Sequence, residues 1–430
     1  MKSMAHIRQT FRALANKNYR FFFIGQSISL VGTWMQQVAM SWLVYRLTGS
    51  ALWLGLIGFL GQAPAFFLTP FAGVLADRYK RHRILMTTQI LAMSQAIVLF
   101  VLVLTDIISL WHIIVLSILF GLINAFDIPA RHAFTIEMID KKEDLSNAIA
   151  LNSSMVNLAR LIGPSVAGII IASAGEDLCF LLNALSYVAV IIALFMMKIS
   201  GQPPALRQVS ILAHLREGFS YAFGFPPIRY ILFLLGLVSL MGVPYQVLMP
   251  IFAKEIFQGG PATLGFLMSM AGIGALIGAV YLAGRKTVLG LGKIIGIAAI
   301  VFGLGLFLFA RSTNLWFSFV IVCIAGFAMM VQMAASNTVL QTVVDEDKRG
   351  RVMSFYTMAF MGTAPFGALI AGWLASKIGA PSTLMIGGIC CVAGGIAFLR
   401  KLPIVRETIR PVYLKKGIIQ EIIRDIREVS

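Results

Sequence analysis

Arg160 stands about a dozen residues into an apolar run covering 148–173. A guanidinium at the middle of a bilayer costs from about 2.5 to 10 or more kcal/mol, depending on how it is measured. Such a residue must face a partner, a cavity or an anion. Ser153, Asn157 and Arg160 share one face at helical spacing. Gln26, Ser29, Thr33 and Gln37, three or four apart, form a polar face in an earlier run. Later runs add Tyr245, Gln246, Gln332, Ser336, Tyr356 and Thr357, with Met35, Met268, Met270 and Met361 as adaptable walls. Together these residues describe a polar-aromatic cavity with one fixed positive charge, suited to an anionic or electron-rich amphiphile. The alternative is structural: Arg160 bonds helix carbonyls and amide neighbours.

Catalysis has no comparable set. His6, His82, His112, His132 and His214 make no metal-type cluster, and Cys179, Cys323, Cys390 and Cys391 lie in apolar stretches as small packing residues. No nucleophile–base pair falls at membrane depth. The chain is therefore expected not to be an enzyme and to need no metal or cofactor.

The elements that must position these residues follow from composition. Of 430 residues 59% are hydrophobic and 12% charged, and mean hydropathy is +0.87. Twelve membrane helices would use about 240 apolar residues at roughly 20 each, close to what the chain holds. This excludes a soluble enzyme, a disordered chain, a collagen-like fibre and a receptor with one anchor. Hydropathy places spans at 21–45, 51–75, 84–104, 110–130, 148–173, 178–197, 231–252, 263–284, 294–310, 315–340, 352–375 and 383–399. Such long continuous runs are helices and not barrel strands.

The net charge of +17 would point to nucleic acid in a soluble protein. Here 30 of the 35 Lys and Arg fall in alternate loops and the two tails; four (Arg46, Lys254, Arg311, Lys377) fall on the other side and Arg160 lies within. That asymmetry is the positive-inside pattern. It predicts a multi-pass cell-membrane protein (inner membrane in a Gram-negative cell) with both termini cytoplasmic and no nucleic-acid partner. The two halves repeat: Leu54-Gly55 recurs as Leu264-Gly265, and Pro164 as Pro365. The expected organisation is a six-helix bundle at 1–199, a cytoplasmic linker at 200–227, a second six-helix bundle at 228–400 and a tail at 401–430. The tail's Ile419, Ile422, Ile423 and Ile426 share one amphipathic face. Two such repeats imply a site between the halves and alternating access by rocking.

Two motifs carry a resemblance. After the second span the sequence reads Gly73-Val-Leu-Ala-Asp77-Arg78-Tyr-Lys80-Arg81-His-Arg83. Gly73 permits close helix approach, and Asp77 can accept bonds from a neighbouring helix N-terminus, expected to be that of span 11 near Arg351. Arg81 is placed to pair with Asp127 of span 4, beside Arg131. In span 5, Gly163-Pro164-x-x-Ala167-Gly168 joins small residues to a bend. The first motif resembles the loop between helices 2 and 3 of the major facilitator superfamily, with Lys80 where that family usually has Gly. The second resembles the helix-5 motif of its exporters. Gly25-Gln26 to Gln36, Trp42 to Ser50, Asn124 to Arg131 and Asn147 to Ser154 resemble the enterobactin-exporter-like branch, the transmembrane secretion effectors.

The resemblance implies an all-α fold of twelve transmembrane helices in two pseudo-symmetric halves, and a cytoplasmic gate of Gly73, Asp77, Arg78, Arg81, Asp127 and Arg131. It also implies a secondary exporter of an amphipathic small molecule, siderophore- or drug-like, coupled to protons and acting as a monomer. The residues themselves offer one titrating acid for coupling, Asp127. Two other readings stay open on the sequence: a lipid or lysophospholipid flippase, and a non-transporting membrane sensor or assembly factor.

Overall fold

The computed structural model describes residues 11–139, 141–197, 220–285, 287–346 and 348–419, without the side chains of 69–71, 73–78 and 142. Among the described residues there is no strand. Twelve long helices follow one another: α1 Lys17–Thr48, α2 Ala51–Arg78, α3 Arg81–Leu104, α4 Leu110–Glu137, α5 Leu145–Ala174 and α6 Glu176–Met196. The second series is α7 Pro226–Ile256, α8 Pro261–Ala283, α9 Leu291–Arg311, α10 Leu315–Val343, α11 Arg349–Ile378 and α12 Ala380–Lys415. Eleven of them are long and apolar enough to cross a bilayer. The exception is α1, which at 32 residues has the length but whose apolar run is diluted by Gln26, Ser27, Ser29, Thr33, Gln36 and Gln37.

An even number of crossings brings both ends of the described chain to one end of the bundle, the terminal end; the opposite end is the far end. Two tryptophans mark the far interface. Trp111 opens α4 at 75% exposure and Trp316 opens α10 at 77%, the position of an aromatic belt. At the terminal end, Arg12 ion-pairs with Asp144 before α5, and the Tyr19 hydroxyl donates to the carbonyl of Ala148 at 2.9 Å.

The first six helices and the last six meet along two crossings, α2 on α11 and α5 on α8. Both are backbone contacts made possible by glycine. A Cβ on Gly55 would stand 2.5 Å from the Ala368 carbonyl oxygen and 2.7 Å from the Gly372 Cα. A Cβ on Gly265 would stand 2.4 Å from the Pro164 carbonyl oxygen and 2.9 Å from the Gly168 Cα. All four glycines lie toward the far end of their helices. From there the α2–α11 contact reaches the middle of the molecule, where Phe366 packs edge-on to Phe59 and Phe66 at 5.6 and 5.7 Å. Gly175 and Gly379, with φ of +96° and +83°, turn the chain from α5 into α6 and from α11 into α12. A residue with a Cβ rarely adopts that backbone.

Helix α12 corrects one expectation. It was expected to stop near residue 399 and instead runs to Lys415, through Pro403 and Pro411. Leu402, Val405, Ile409 and Tyr413 give the extension a buried face. The Lys416 ammonium donates to the carbonyls of Thr342 and Val344 at 2.7 and 3.3 Å, satisfying the open C-terminal end of α10. A hydropathy reading stops where charges begin; the helix continues because this face still has a surface to cover. Most of the linker expected at 200–227, and the tail face beyond Ile419, lie outside the described residues.

The crossings make a quantitative claim. Gly265→Ala should cost about 1–3 kcal/mol, the usual range for overpacking a tight contact. Gly58→Ala, whose Cβ would sit at an ordinary 3.4 Å from Ala368 Cβ, should cost far less. Thermal unfolding of both variants in detergent checks this, and equal shifts would refute it.

Candidate functional site

Helix α5 builds the site through its Gly-Pro segment. A Cβ on Gly163 would stand 2.5 Å from the Trp34 Cβ, so only glycine lets α5 close on α1 at that level. One turn earlier, the Arg160 guanidinium lies over the Trp34 ring, 5.0 Å from its centroid. Pro164 supplies no N–H, so the Arg160 carbonyl loses its in-helix donor. Gly272 of α8 packs against that carbonyl. Four residues on, Gly168 makes the crossing with Gly265. Each part of the Gly163-Pro164-x-x-Ala167-Gly168 segment thus has a geometric task.

Arg160 lines a cavity between the halves with Trp34, Pro164, Tyr245, Gln246, Met249, Met268 and Met329, completed by Ala271, Ala275 and Gly326. Helix α7 unwinds at 242–244 immediately before Tyr245 and Gln246; this break presents two successive polar side chains to one space. The Arg160 Nε is buried with no hydrogen-bond partner. Among the described residues no carboxylate pairs with Arg160. A cation over an indole is worth roughly 2 kcal/mol when desolvated, which offsets part of the cost of burial and leaves the guanidinium's N–H donors for an anion.

The expected cavity residues divide. Arg160, Tyr245 and Gln246 come together. Gln26 and Ser29 are 2% and 1% exposed and pack within the first six helices, where Gly25 and Gly32 of the same helix touch α6. Thr33 donates to the Ser29 carbonyl at 2.9 Å and lies 3.5 Å from the Tyr187 hydroxyl. Asn157 donates to its own helix at Ser153. Tyr356 donates to the Met333 carbonyl at 3.1 Å. Gln332 is 1% exposed, with both amide atoms unpartnered, one turn from Met329 and outside the lining. The sequence places these polar groups in the cavity by helix face; α1 turns its face toward α6 and presents Trp34 instead. Gln37 is exposed three residues beyond Trp34. Its neighbour Gln36 enters a buried chain, in which the Asn183 amide donates to Gln36 at 2.6 Å and Gln36 donates to Gln95 at 3.0 Å.

The gate residues are also rearranged. Arg81 does not reach Asp127. Its Nη1 pairs with Glu137 at 2.7 Å, while Asp127 receives Thr88 Oγ1 and Gln89 Nε2, each at 2.8 Å, and ion-pairs with Arg131. The reason is depth. Helices α3 and α4 are antiparallel, so Arg81 at the start of α3 lies level with Glu137 at the end of α4. Asp127 is ten residues deeper, about 15 Å at the α-helical rise, level with Thr88 and Gln89. The side chains of Gly73, Asp77 and Arg78 lie outside the described residues.

Residues 8–413 match the transmembrane secretion effector family. The chain belongs to that family, a branch of the major facilitator superfamily. It is 26% identical over 396 residues to a staphyloferrin A transporter of Staphylococcus aureus, covering 90% of this chain and 98% of the relative. It is 27% identical over 391 residues to an enterobactin exporter of Salmonella typhi, covering 90% and 93%. The crystal structure of a peptide transporter superposes with a TM-score of 0.73 at 12% identity, covering 91% and 96%; that likeness concerns the fold. This chain is a multi-pass membrane efflux transporter of the facilitator type, and its homologues and fold are those of transporters and not of enzymes.

The two ion pairs should respond differently to deletion. Arg131→Leu leaves a carboxylate 1% exposed without its counter-ion and should cost about 3 kcal/mol. Glu137→Gln loosens a more exposed pair and should cost about 1 kcal/mol or less. Denaturation curves of the two variants provide the check; a smaller loss for Arg131→Leu would overturn the depth assignment.

Proposed function

We propose that this transporter carries an amphipathic anion, siderophore-like in its carboxylate or catecholate groups, out of the cytoplasm by alternating access. The observation that carries the reading is Arg160: a half-buried guanidinium with an enclosed, unpartnered Nε, held on an indole face, free of any described carboxylate, and beside Met249, Met268 and Met329. The anion satisfies the N–H donors, while methionines and Trp34 accommodate the apolar body without demanding one shape. The chain's likeness to a staphyloferrin A transporter and an enterobactin exporter supports a siderophore-like cargo.

The basic residues gathered at the terminal end support a cytoplasmic location for both termini. On that orientation the glycine crossings lie toward the outer side, and in this reading an export substrate loads from the inner side. The halves 1–199 and 228–400 are the two rocking bodies, and a monomer suffices because the cavity is complete within one chain. Protons are the counter-substrate in this reading, with Asp127 as the coupling acid. Thr88 and Gln89 donate to its side chain and Arg131 ion-pairs with it.

Purified protein in liposomes tests the reading. Uptake of a carboxylate siderophore into inverted vesicles under a proton gradient should fall about tenfold in Arg160→Gln, the size of one lost charge-assisted contact. A neutral macrolide should be little affected. Undiminished anion transport by Arg160→Gln would sink the anion site, and transport that ignores the gradient would sink proton coupling.

A further inference from the structure

A further inter-half contact lies at the far end and involves charges that the cavity does not use. The Tyr45 hydroxyl, near the end of α1, donates to Glu255 Oε1, and the Lys254 ammonium lies over the Tyr45 ring, 5.6 Å from its centroid. Tyr45 is 2% exposed and part of the main core. Its neighbour Arg46 is fixed to Glu176, the first residue of α6, at 2.8 Å. The tyrosine is therefore a rigid fixture of the first half.

The receiving side is built differently. Residues Phe252–Ile256 form a π-helical turn at the end of α7. A π-turn is wider than an α-turn and recurs at functional sites. Here it brings two successive residues of opposite charge to one aromatic side chain. Phe252 and Phe257, which flank them, both pack on Phe309 of α9, at 4.7 and 6.1 Å. The π-turn thus belongs to the second half, and its two charged side chains reach across the seam.

We infer that Tyr45, Glu255 and Lys254 form an outer latch, with Glu255 and Lys254 as positioning residues that hold the far end shut while the cavity loads. The inference rests on the alternating-access reading above. Among the described gate side chains, the Arg81–Glu137 and Asp127–Arg131 ion pairs each stay within the first six helices, whereas Tyr45–Glu255 spans the two halves. Opening the far end must break this contact, and the Lys254–Tyr45 contact with it. The glycine crossings set how closely the halves approach, and the latch adds a directional polar bond that exists only when they have closed.

Distances between paired spin labels decide the matter in the purified full chain, on a background with the four cysteines replaced. One pair, at Thr105 and Thr313, reports the far end; a second, at Arg83 and Leu289, reports the terminal end. Tyr45→Phe removes one oxygen and keeps the ring under Lys254. It should raise the open-to-closed ratio at the far end about tenfold, the size of one hydrogen bond to a charged group. Glu255→Leu should do the same, the double variant should add nothing, and Lys254→Leu should act more weakly. A far-end distribution identical to the parent's in both Tyr45→Phe and Glu255→Leu, with the protein folded and monodisperse, overturns the latch. Failure of the parent's two pairs to move in opposite senses under substrate and gradient would overturn alternating access, a separate result from the variants' effect.

Discussion

Apolar side chains gain nothing by leaving lipid for the interior of a membrane protein, so helices there are joined by close packing and by polar contacts. This constraint organises the whole molecule. At both main crossings of the halves, and where α5 approaches α1, a missing Cβ allows the contact: Gly55 on Gly372, Gly168 on Gly265, Gly163 on Trp34. The approach at Gly163 has a direct chemical consequence, because it brings the indole close enough for Arg160, one turn away, to lie over it. A larger residue at 163 would separate α5 from α1 and remove the partner that makes a guanidinium at this depth tolerable. Packing and chemistry are here the same contact.

Arg160 and Asp127 show two ways of holding charge at membrane depth. Asp127 is saturated: two neutral donors and a cation surround it on α3 and α4, and it ties those helices together. Arg160 has a ring face and an unpartnered Nε. A buried charge left partly satisfied is costly, and a chain that needed only structural glue would be served better by a second Asp127-like arrangement. The contrast between the two residues, more than the burial of either, is what supports the proposed binding role of Arg160.

How much the sequence revealed depended on the range of the interaction involved. Helix number, sequence repeat and cavity charge were readable because hydropathy, spacing and a lone Arg160 are local signals. The pairing of Arg81 was not. Asp127 and Glu137 are both acids on α4, and only the antiparallel depth of two helices selects Glu137. Gln36 and Gln37 are adjacent, and the rotation of α1, set by contact with α6, decides which enters the interior. The repeat offset from Pro164 to Pro365, carried forward from Gly168, lands on Leu369, whereas the crossing glycine is Gly372. Trp34 could have been found, since it lies within the same apolar run as the polar face and is the aromatic type that best accepts a cation.

The two halves repeat in sequence but divide the labour. The first six helices carry the charges at depth: Arg160, Asp127, Arg131, and the Arg81–Glu137 pair at their margin. In the second half Thr287 replaces the acid of the gate motif, and the backbone is irregular instead. Helix α7 unwinds at 242–244 and ends in a π-turn, and α11 contains another π-turn at Met358–Gly362. Pseudo-equivalent α1 is one uninterrupted helix, and α5 is interrupted only by Pro164. Fixed charges need a rigid frame, because a displaced buried ion loses its partners; rearrangement is less costly where the backbone already departs from the α-helix. The two bundles thus differ, with most of the charges at depth in one and the breaks in the backbone in the other. The cavity lies where they meet, with Arg160 from the rigid half facing Tyr245 and Gln246 from the broken helix.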